Sequence, residues 1–110
     1  MLEITDHGPV RELRLARPPV NALDPALVAA LRAALADAES SSACRAIVLS
    51  GQPGMFSAGL DIRALGRLEL DAIAAFVDEF TELQRALAAS TRPVVAAITG
   101  HCPAGGTVLA

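Results

Sequence analysis

Two short runs of small residues each follow an apolar segment and precede a stretch with helical periodicity. The first contains Ser57, Ala58 and Gly59, and the second contains Gly105 and Gly106. Small side chains let a ligand approach the main chain closely, and the first N–H groups of a helix have no acceptor within that helix. Two such turns side by side would direct two N–H donors at one oxygen that gains charge during a reaction. The sequence therefore predicts an oxyanion hole made of backbone amides.

The segments before the first of these turns predict two strands, a loop and a helix. Two short strands surround the turn at residues 7–9, and two consecutive prolines make residues 17–21 an extended loop. Asp24 is a favoured N-cap residue and Pro25 suits the first helical position, so a helix is expected over residues 25–39.

The remaining segments complete a β-β-α-β-α-α-β-α order. Residues 45–51 and 93–100 are apolar without alternation, which is typical of parallel strands covered on both faces. A short helix is expected from about Asp61, a longer one over residues 71–89, and a last one from about Gly105. The expected apolar stripe of the longer helix consists of Ile73, Phe76, Val77, Phe80, Leu83 and Leu87. This order predicts an α/β fold with crossover connections.

Composition excludes several classes of function. The chain has 110 residues, 53% of them hydrophobic, and a net charge of −3, and its basic residues are nine arginines without a lysine. That balance argues against binding to nucleic acid, which needs a basic stripe. No continuously apolar stretch approaches the roughly 18 residues of a membrane span. The N-terminus has no apolar segment of a secretory signal, so a cytoplasmic location is expected.

Other reactive residue types are present but lack the spacing that their chemistry needs. Neither the histidines nor the cysteines, Cys44 and Cys102, have metal-ligand spacing, so we expect no metal. Ser57 does not lie in a nucleophile elbow, because the G-x-S-x-G pattern needs a glycine at position 55, where this chain has Met55. Its hydroxyl is expected to bond local backbone, and its removal to leave turnover nearly unchanged. Asp61 is expected to be a helix N-cap rather than a catalytic carboxylate. His101 and Cys102 are adjacent, so their side chains should point apart.

Three motifs taken together carry a family resemblance. "PPVNALD", "FSAGLDI" and "AAITGHCPAGG" occur in this order and spacing along the whole chain. The combination resembles the enoyl-CoA hydratase/isomerase (crotonase) superfamily, whereas Gly105 and Gly106 alone would indicate only a tight turn. The resemblance implies the N-terminal portion of the α/β ββα-repeat spiral of ClpP and crotonase. Residue 110 lies in the first turns of the last helix, so residues 1–110 are expected to be part of one domain, truncated at the start of that helix.

The same resemblance assigns roles to individual positions. Leu60 and Gly105 would donate the two amides of the oxyanion hole to the thioester carbonyl of an acyl-CoA substrate, with no separate cofactor. Arg17, Arg63 and Arg67 are candidates for contacts with the phosphates of coenzyme A, because charge-assisted bonds from arginine suit them, but for any single one of them a solvated surface position is the better interpretation. The remaining substrate-binding positions, which meet the adenine or line the pantetheine region, are Val20, Ala22, Ala58, Asp61, Ile62 and Pro103. The resemblance further implies a homotrimer or a dimer of trimers.

The position three residues after the oxyanion glycine distinguishes members of the superfamily. Hydratases carry a catalytic Glu there, whereas this chain has Val108. The string "CPAGG" with an apolar residue at 108 resembles the mitochondrial-type Δ3,Δ2-enoyl-CoA isomerases of fatty acid β-oxidation. Their single catalytic Glu would lie roughly twenty residues beyond position 110. A hydratase, a thioester hydrolase or decarboxylase relative, and a non-catalytic acyl-CoA-binding module are the alternatives.

Overall fold

The computed structural model describes residues 1–103, Gly106 and Leu109. In this part of the chain the strands are β1 (Leu2–His7), β2 (Val10–Leu15), β3 (Ala46–Ser50), β4 (Gly54–Met55), β5 (Val94–Ala97) and β6 (Gly100–His101). The helices are α1 (Pro25–Ser40), α2 (Ile62–Leu65) and α3 (Leu70–Ala88). Gly106 and Leu109 have helical backbone, as expected for the last segment.

The strands form two sheets that are joined by helical crossovers. The larger sheet has the order β1-β2-β3-β5, in which β1 and β2 are antiparallel and the other neighbours are parallel. The second sheet pairs β4 with β6 in parallel. Because α1 lies between β2 and β3 and α3 precedes β5, the predicted α/β order with crossover connections is confirmed.

The core lies between the larger sheet and the apolar faces of α1 and α3. Leu13 of β2 is the register partner of Leu49 of β3, so both point to the same face of the sheet. The buried residues of the two helices that join this cluster are Leu27, Val28, Leu31, Ala34, Leu35, Ala38, Phe76, Phe80 and Leu83. The periodicity of both helices thus predicted their buried faces, with Val77 as an exception at 47% exposure.

The expectation that the parallel strands are covered on both faces is wrong for the described residues. In β3, Ile47 and Leu49 are buried whereas Val48 is half-buried. In the segment predicted as the second buried strand, Val95 is 58% exposed and Ile98 is 52% exposed. The strand also ends earlier than predicted, at Ala97. The reason is that α1 and α3 cover one face of the sheet, so the opposite side chains stay accessible.

The strands β4 and β6 were not predicted, because two residues are too few to show periodicity. They are nevertheless important to the arrangement of the two turns, since Gly54 pairs with Gly100 and Met55 pairs with His101. The main chains approach so closely that a Cβ on Gly100 would lie 2.0 Å from the carbonyl carbon of Gly54. This second sheet therefore places side by side the two segments that lead into the turns.

The carboxyl end of α1 is capped by an arginine from a distant segment. The Arg92 guanidinium donates through Nε to the Cys44 carbonyl at 2.8 Å and through Nη2 to the Glu39 carbonyl at 3.1 Å. The Ser41 carbonyl accepts a longer bond of 3.4 Å from the same Nη2. The last carbonyls of a helix accept no hydrogen bond from within that helix. The Arg92 guanidinium supplies the missing donors and holds the start of the β5 segment beside the end of α1.

We expect Arg92→Ala to lower the free energy of unfolding by about 1.5–3 kcal/mol, because it removes charge-assisted bonds to half-buried carbonyls. The measurement is urea denaturation followed by circular dichroism. Arg45→Ala is the matched control, since Arg45 is exposed and its guanidinium has no acceptor among the described residues. The control should change stability by less than about 0.5 kcal/mol. Equal losses in both variants would contradict the capping role.

Candidate functional site

The first turn is held by a parallel bridge between Leu23 and Leu60. The Leu23 amide donates to the Gly59 carbonyl at 2.7 Å, and the Asp61 amide donates to the Leu23 carbonyl at 2.9 Å. A trans peptide is planar, with its C=O and N–H pointing in opposite directions. Since the Gly59 carbonyl points at Leu23, the Leu60 amide of the same peptide points away from it.

The Leu60 amide has no acceptor among the residues that the structure describes. Its neighbours in the turn are engaged: the Ala58 amide donates to the Val20 carbonyl at 2.9 Å, and the Gly59 amide donates to Ser57 Oγ at 3.1 Å. Within the described residues the Ser57 amide is likewise without an acceptor. The bridge thus leaves the Leu60 N–H directed away from the loop that holds it and able to bind an incoming oxygen.

The second turn packs directly against the first. The Phe56 amide donates to the His101 carbonyl at 2.9 Å, which extends the β4–β6 pairing up to the turns. Gly106 is buried, and a Cβ at this position would lie 2.1 Å from the Ser57 carbonyl oxygen. Only a glycine permits that approach. Gly105, the predicted second donor, and Val108 lie outside the described residues.

A cavity of about 690 Å³ lies beside the first turn. It brings together most of the residues that the sequence assigned to substrate binding, namely Val20, Ala22, Ala58, Leu60, Asp61 and Ile62. Pro103 is exposed and is not part of this lining. The remaining wall is formed by Pro18, Pro19 and Ala64 together with three arginines, Arg17, Arg63 and Arg67.

The three arginines of this cavity have different surroundings. Arg17 Nη2 lies 2.8 Å from Asp61 Oδ2, Nη1 donates to the Ala22 carbonyl at 2.8 Å, and Nε lies 3.5 Å from Asp24 Oδ2. Its charge is therefore compensated by two carboxylates. Arg63 and Arg67 are exposed and form no ion pair within the described part of the chain. They are the two cavity arginines whose charge is available to an anion.

Both aspartates that hold Arg17 are helix N-caps, as predicted. Asp24 Oδ1 accepts from the Leu27 amide at 2.8 Å at the start of α1. Asp61 Oδ1 accepts from the Ala64 amide at 3.0 Å at the start of α2. The Ala64 N–H, followed by the Arg17 guanidinium, lowers the pKa of the Asp61 carboxyl below its ordinary value of 3.8. Asp61 is thus ionised at neutral pH, and its two oxygens are occupied by the helix and by Arg17.

Ser57 is fully buried, and its hydroxyl bonds backbone rather than facing the cavity. Oγ accepts from the Gly59 amide, as expected for a local bond, and it also donates to the Asn21 carbonyl at 2.8 Å. The second bond spans two segments and changes the expectation that Ser57→Ala is nearly silent. His101 is exposed whereas Cys102 packs against the core, which agrees with side chains that point apart.

The sequence reasoning gave no role to Asn21, which is fully buried beside the turn. Its Oδ1 accepts from the Arg17 amide at 2.8 Å, and its Nδ2 donates to the Phe56 carbonyl at 3.0 Å. Its φ of 51° lies in the left-handed region, which Asn tolerates better than most residues. An Asn at the end of the proline-rich loop was the available clue, because Asn both turns the chain and bonds nearby backbone.

Two further properties limit what the described residues can do. No group of three or more His, Cys, Asp or Glu side chains among them is arranged to hold a metal ion. In the same part of the chain, every helix is too short or too polar to cross a bilayer.

Comparison with known proteins gives consistent sequence and structure matches. The sequence matches the family described as enoyl-CoA hydratase/isomerase over residues 5–110. The probable enoyl-CoA hydratase echA6 of Mycobacterium tuberculosis is 42% identical over 112 residues, which cover 100% of this chain and 43% of that protein. Human mitochondrial enoyl-CoA delta isomerase 1 is 34% identical over 102 residues, covering 92% of this chain and 34% of that protein.

Solved structures match over almost the whole chain. The crystal structure of human mitochondrial delta3-delta2-enoyl-CoA isomerase superposes with a TM-score of 0.94 at 30% identity, covering 99% of this chain and 43% of that one. An enoyl-CoA hydratase from Bacillus anthracis has a TM-score of 0.92 at 24% identity, covering 98% and 43% of the two chains, and supports the fold alone. This chain spans less than half the length of these relatives.

We expect Gly106→Ala to destabilise the protein by about 1–3 kcal/mol, because the added methyl forces the two turns apart. Thermal unfolding measures the loss of stability. Gly66→Ala is the matched control, since its Cβ would meet its nearest neighbour at an ordinary 3.4 Å. Equal stability of the Gly106→Ala variant and the wild-type protein would show that the close contact of the turns is not needed.

Proposed function

Because this chain belongs to the enoyl-CoA hydratase/isomerase (crotonase) family, we propose that it binds an acyl-CoA thioester through the backbone amides of Leu60 and Gly105. The observation that carries the proposal is the Leu60 amide, which points away from Leu23 and has no acceptor among the described residues. Gly105 is assigned as the second donor by the sequence motif. The close approach of Gly106 to the Ser57 carbonyl supports a position of the second turn beside the same cavity.

In this proposal the two amides polarise the thioester carbonyl. Removal of a proton from the carbon next to the thioester gives an enolate, whose charge resides largely on the former carbonyl oxygen. Amides fixed before the reaction bind that oxygen more strongly as its charge grows, and they need no reorganisation to do so. The substrate thus supplies the coenzyme A group itself, and the proposal needs no separate cofactor.

The cavity beside Leu60 supports binding of an extended, partly charged ligand. The apolar side chains of Val20 and Ala22 suit the pantetheine and adenine region, and backbone groups near Ala58, Asp61 and Ile62 suit the adenine. Arg63 and Arg67 carry charge that no described carboxylate compensates, so they are assigned to the phosphates in preference to Arg17.

The proposed reaction is isomerisation of a Δ3-enoyl-CoA to the Δ2 isomer, as part of fatty acid β-oxidation. Val108 supports this choice, because its side chain can neither orient a water molecule nor transfer a proton. The base would be a Glu roughly twenty residues beyond position 110, and the complete protein would assemble as a trimer or a dimer of trimers. Hydration is the second candidate, since a relative with 42% identity is named a probable enoyl-CoA hydratase.

Parallel assays of the complete protein with 3-hexenoyl-CoA and crotonyl-CoA test the reaction. Isomerisation of 3-hexenoyl-CoA forms a conjugated enoyl thioester and raises its absorbance, whereas hydration of crotonyl-CoA removes the conjugation and lowers it. The isomerase proposal predicts a much higher kcat/KM for the first reaction than for the second. The opposite ratio would identify a hydratase. Tight binding of hexanoyl-CoA without either turnover would identify a binding module, and absence of hexanoyl-CoA binding would refute the whole proposal.

We expect Gly105→Pro to lower kcat about 100- to 1,000-fold, because proline has no amide hydrogen to donate to the thioester oxygen. Leu60→Met is the control, since it changes the side chain at the other donor with little change in volume and keeps the amide. Steady-state kinetics of the complete protein and its two variants with 3-hexenoyl-CoA provide the measurement. Near-normal turnover of the proline variant would rule out an amide at position 105 as a donor.

A further inference from the structure

We propose that Ser57 and Asn21 are positioning residues that set the direction of the Leu60 amide. This inference rests on the proposed function, because it concerns how the amide is held for a thioester oxygen. Both side chains are polar and fully buried. Neither belongs to the lining of the cavity, so any effect on the ligand must pass through the main chain.

The need for positioning arises at Gly59, which precedes the donor. Its φ is +92°, a conformation that glycine adopts readily but does not prefer strongly over others. Its carbonyl is held by the Leu23 amide on one side. On the other side its own amide is held by Ser57 Oγ at 3.1 Å. These two bonds restrain both peptides that flank Gly59, and the second of those peptides carries the Leu60 N–H.

The Ser57 hydroxyl is itself held from outside the turn. It donates to the Asn21 carbonyl at 2.8 Å, which fixes the direction of its lone pairs toward the Gly59 amide. A serine hydroxyl has one hydrogen to donate and two lone pairs that accept. Ser57 can therefore donate to the Asn21 carbonyl and accept from the Gly59 amide at the same time. The turn therefore takes its geometry from the loop at residues 17–21 as well as from its own sequence.

Asn21 is tied into both segments by every polar group that it has. Its side chain spans from the Arg17 amide to the Phe56 carbonyl. Its own amide donates to the Arg17 carbonyl at 2.8 Å, and its carbonyl accepts from Ser57. A buried network with all members satisfied is rigid, and loss of one member leaves its partners without bonds. The rigid unit extends from Arg17 through Asn21 and Ser57 to Gly59.

The network predicts a signature that a purely structural role does not give. If Ser57 directs the Leu60 amide, then loss of its hydroxyl should weaken polarisation of the bound carbonyl and lower kcat while KM changes little. An error of about 1 Å in positioning costs on the order of 100-fold in rate. We therefore expect kcat of Ser57→Ala to fall about 10- to 100-fold.

The experiment uses hexanoyl-CoA labelled with ¹³C at the thioester carbonyl and bound to the protein. Isotope-edited infrared spectroscopy reports the carbonyl stretch, which hydrogen bonds move to lower frequency. The wild-type protein should show this shift relative to free hexanoyl-CoA, and Ser57→Ala should lose at least half of it. Ser57→Cys provides a second variant that fills the buried space with a weak donor, and it should lose the shift in the same way.

Ser50→Ala is the matched control. Ser50 is also a buried serine, with 7% exposure, and its hydroxyl donates to Glu12 Oε2 at 2.6 Å in the sheet, away from the turn. This variant should lose stability without losing the infrared shift or kcat. If folded Ser57→Ala and Ser57→Cys keep the infrared shift of the wild-type protein, the positioning role of Ser57 is refuted and the proposed function is not. Absence of the shift in the wild-type protein would refute the proposed function together with this inference.

Discussion

The planar peptide between Gly59 and Leu60 is the constraint on which the candidate site depends. Its carbonyl is bound to the Leu23 amide at 2.7 Å, so its N–H is directed to the opposite side. This bond, together with the bond from the Gly59 amide to Ser57 Oγ, restrains the direction of a donor that itself makes no hydrogen bond among the described residues. The arrangement explains how the Leu60 amide has no acceptor among the described residues while the amides on either side of it, those of Gly59 and Asp61, are both hydrogen-bonded.

The surroundings of this peptide serve to keep it in place. The two-stranded sheet and the contact of Gly106 with the Ser57 carbonyl bring the second turn to within van der Waals distance of the first. Arg17 joins the N-cap of α1 to the N-cap of α2 through Asp24 and Asp61. Three segments that are distant in sequence thus form one rigid frame around the cavity.

The electrostatics of the cavity follow from the same frame. The carboxylates of Asp24 and Asp61 are used to cap helices and to hold Arg17, and the depressed pKa of Asp61 reflects this double use. Among the described residues that line the cavity, the positive charge that remains belongs to Arg63 in α2 and to Arg67, which follows α2. The described lining of the cavity therefore combines one backbone amide without an acceptor, that of Leu60, with two guanidinium groups that no described carboxylate compensates.

The sequence alone determined the family, the crotonase fold and the local elements other than β4 and β6. Apolar periodicity predicted the buried faces of α1 and α3, and Asp24 and Asp61 were correctly predicted as caps, because these features depend on neighbouring residues only. The motifs also nominated six residues that the structure brings to one cavity. Pro103 was nominated as well but does not line that cavity, and the roles of all these positions in binding stay predictions.

Only the tertiary structure decided how distant segments restrain one another. The pairing of β4 with β6, the ion pair between Arg17 and Asp61 and the bond from Ser57 to Asn21 each join residues more than thirty positions apart in sequence. Local periodicity contains no information about such contacts. The exposure of Val95 likewise follows from which face the helices cover, which is a property of the assembled sheet rather than of its strands.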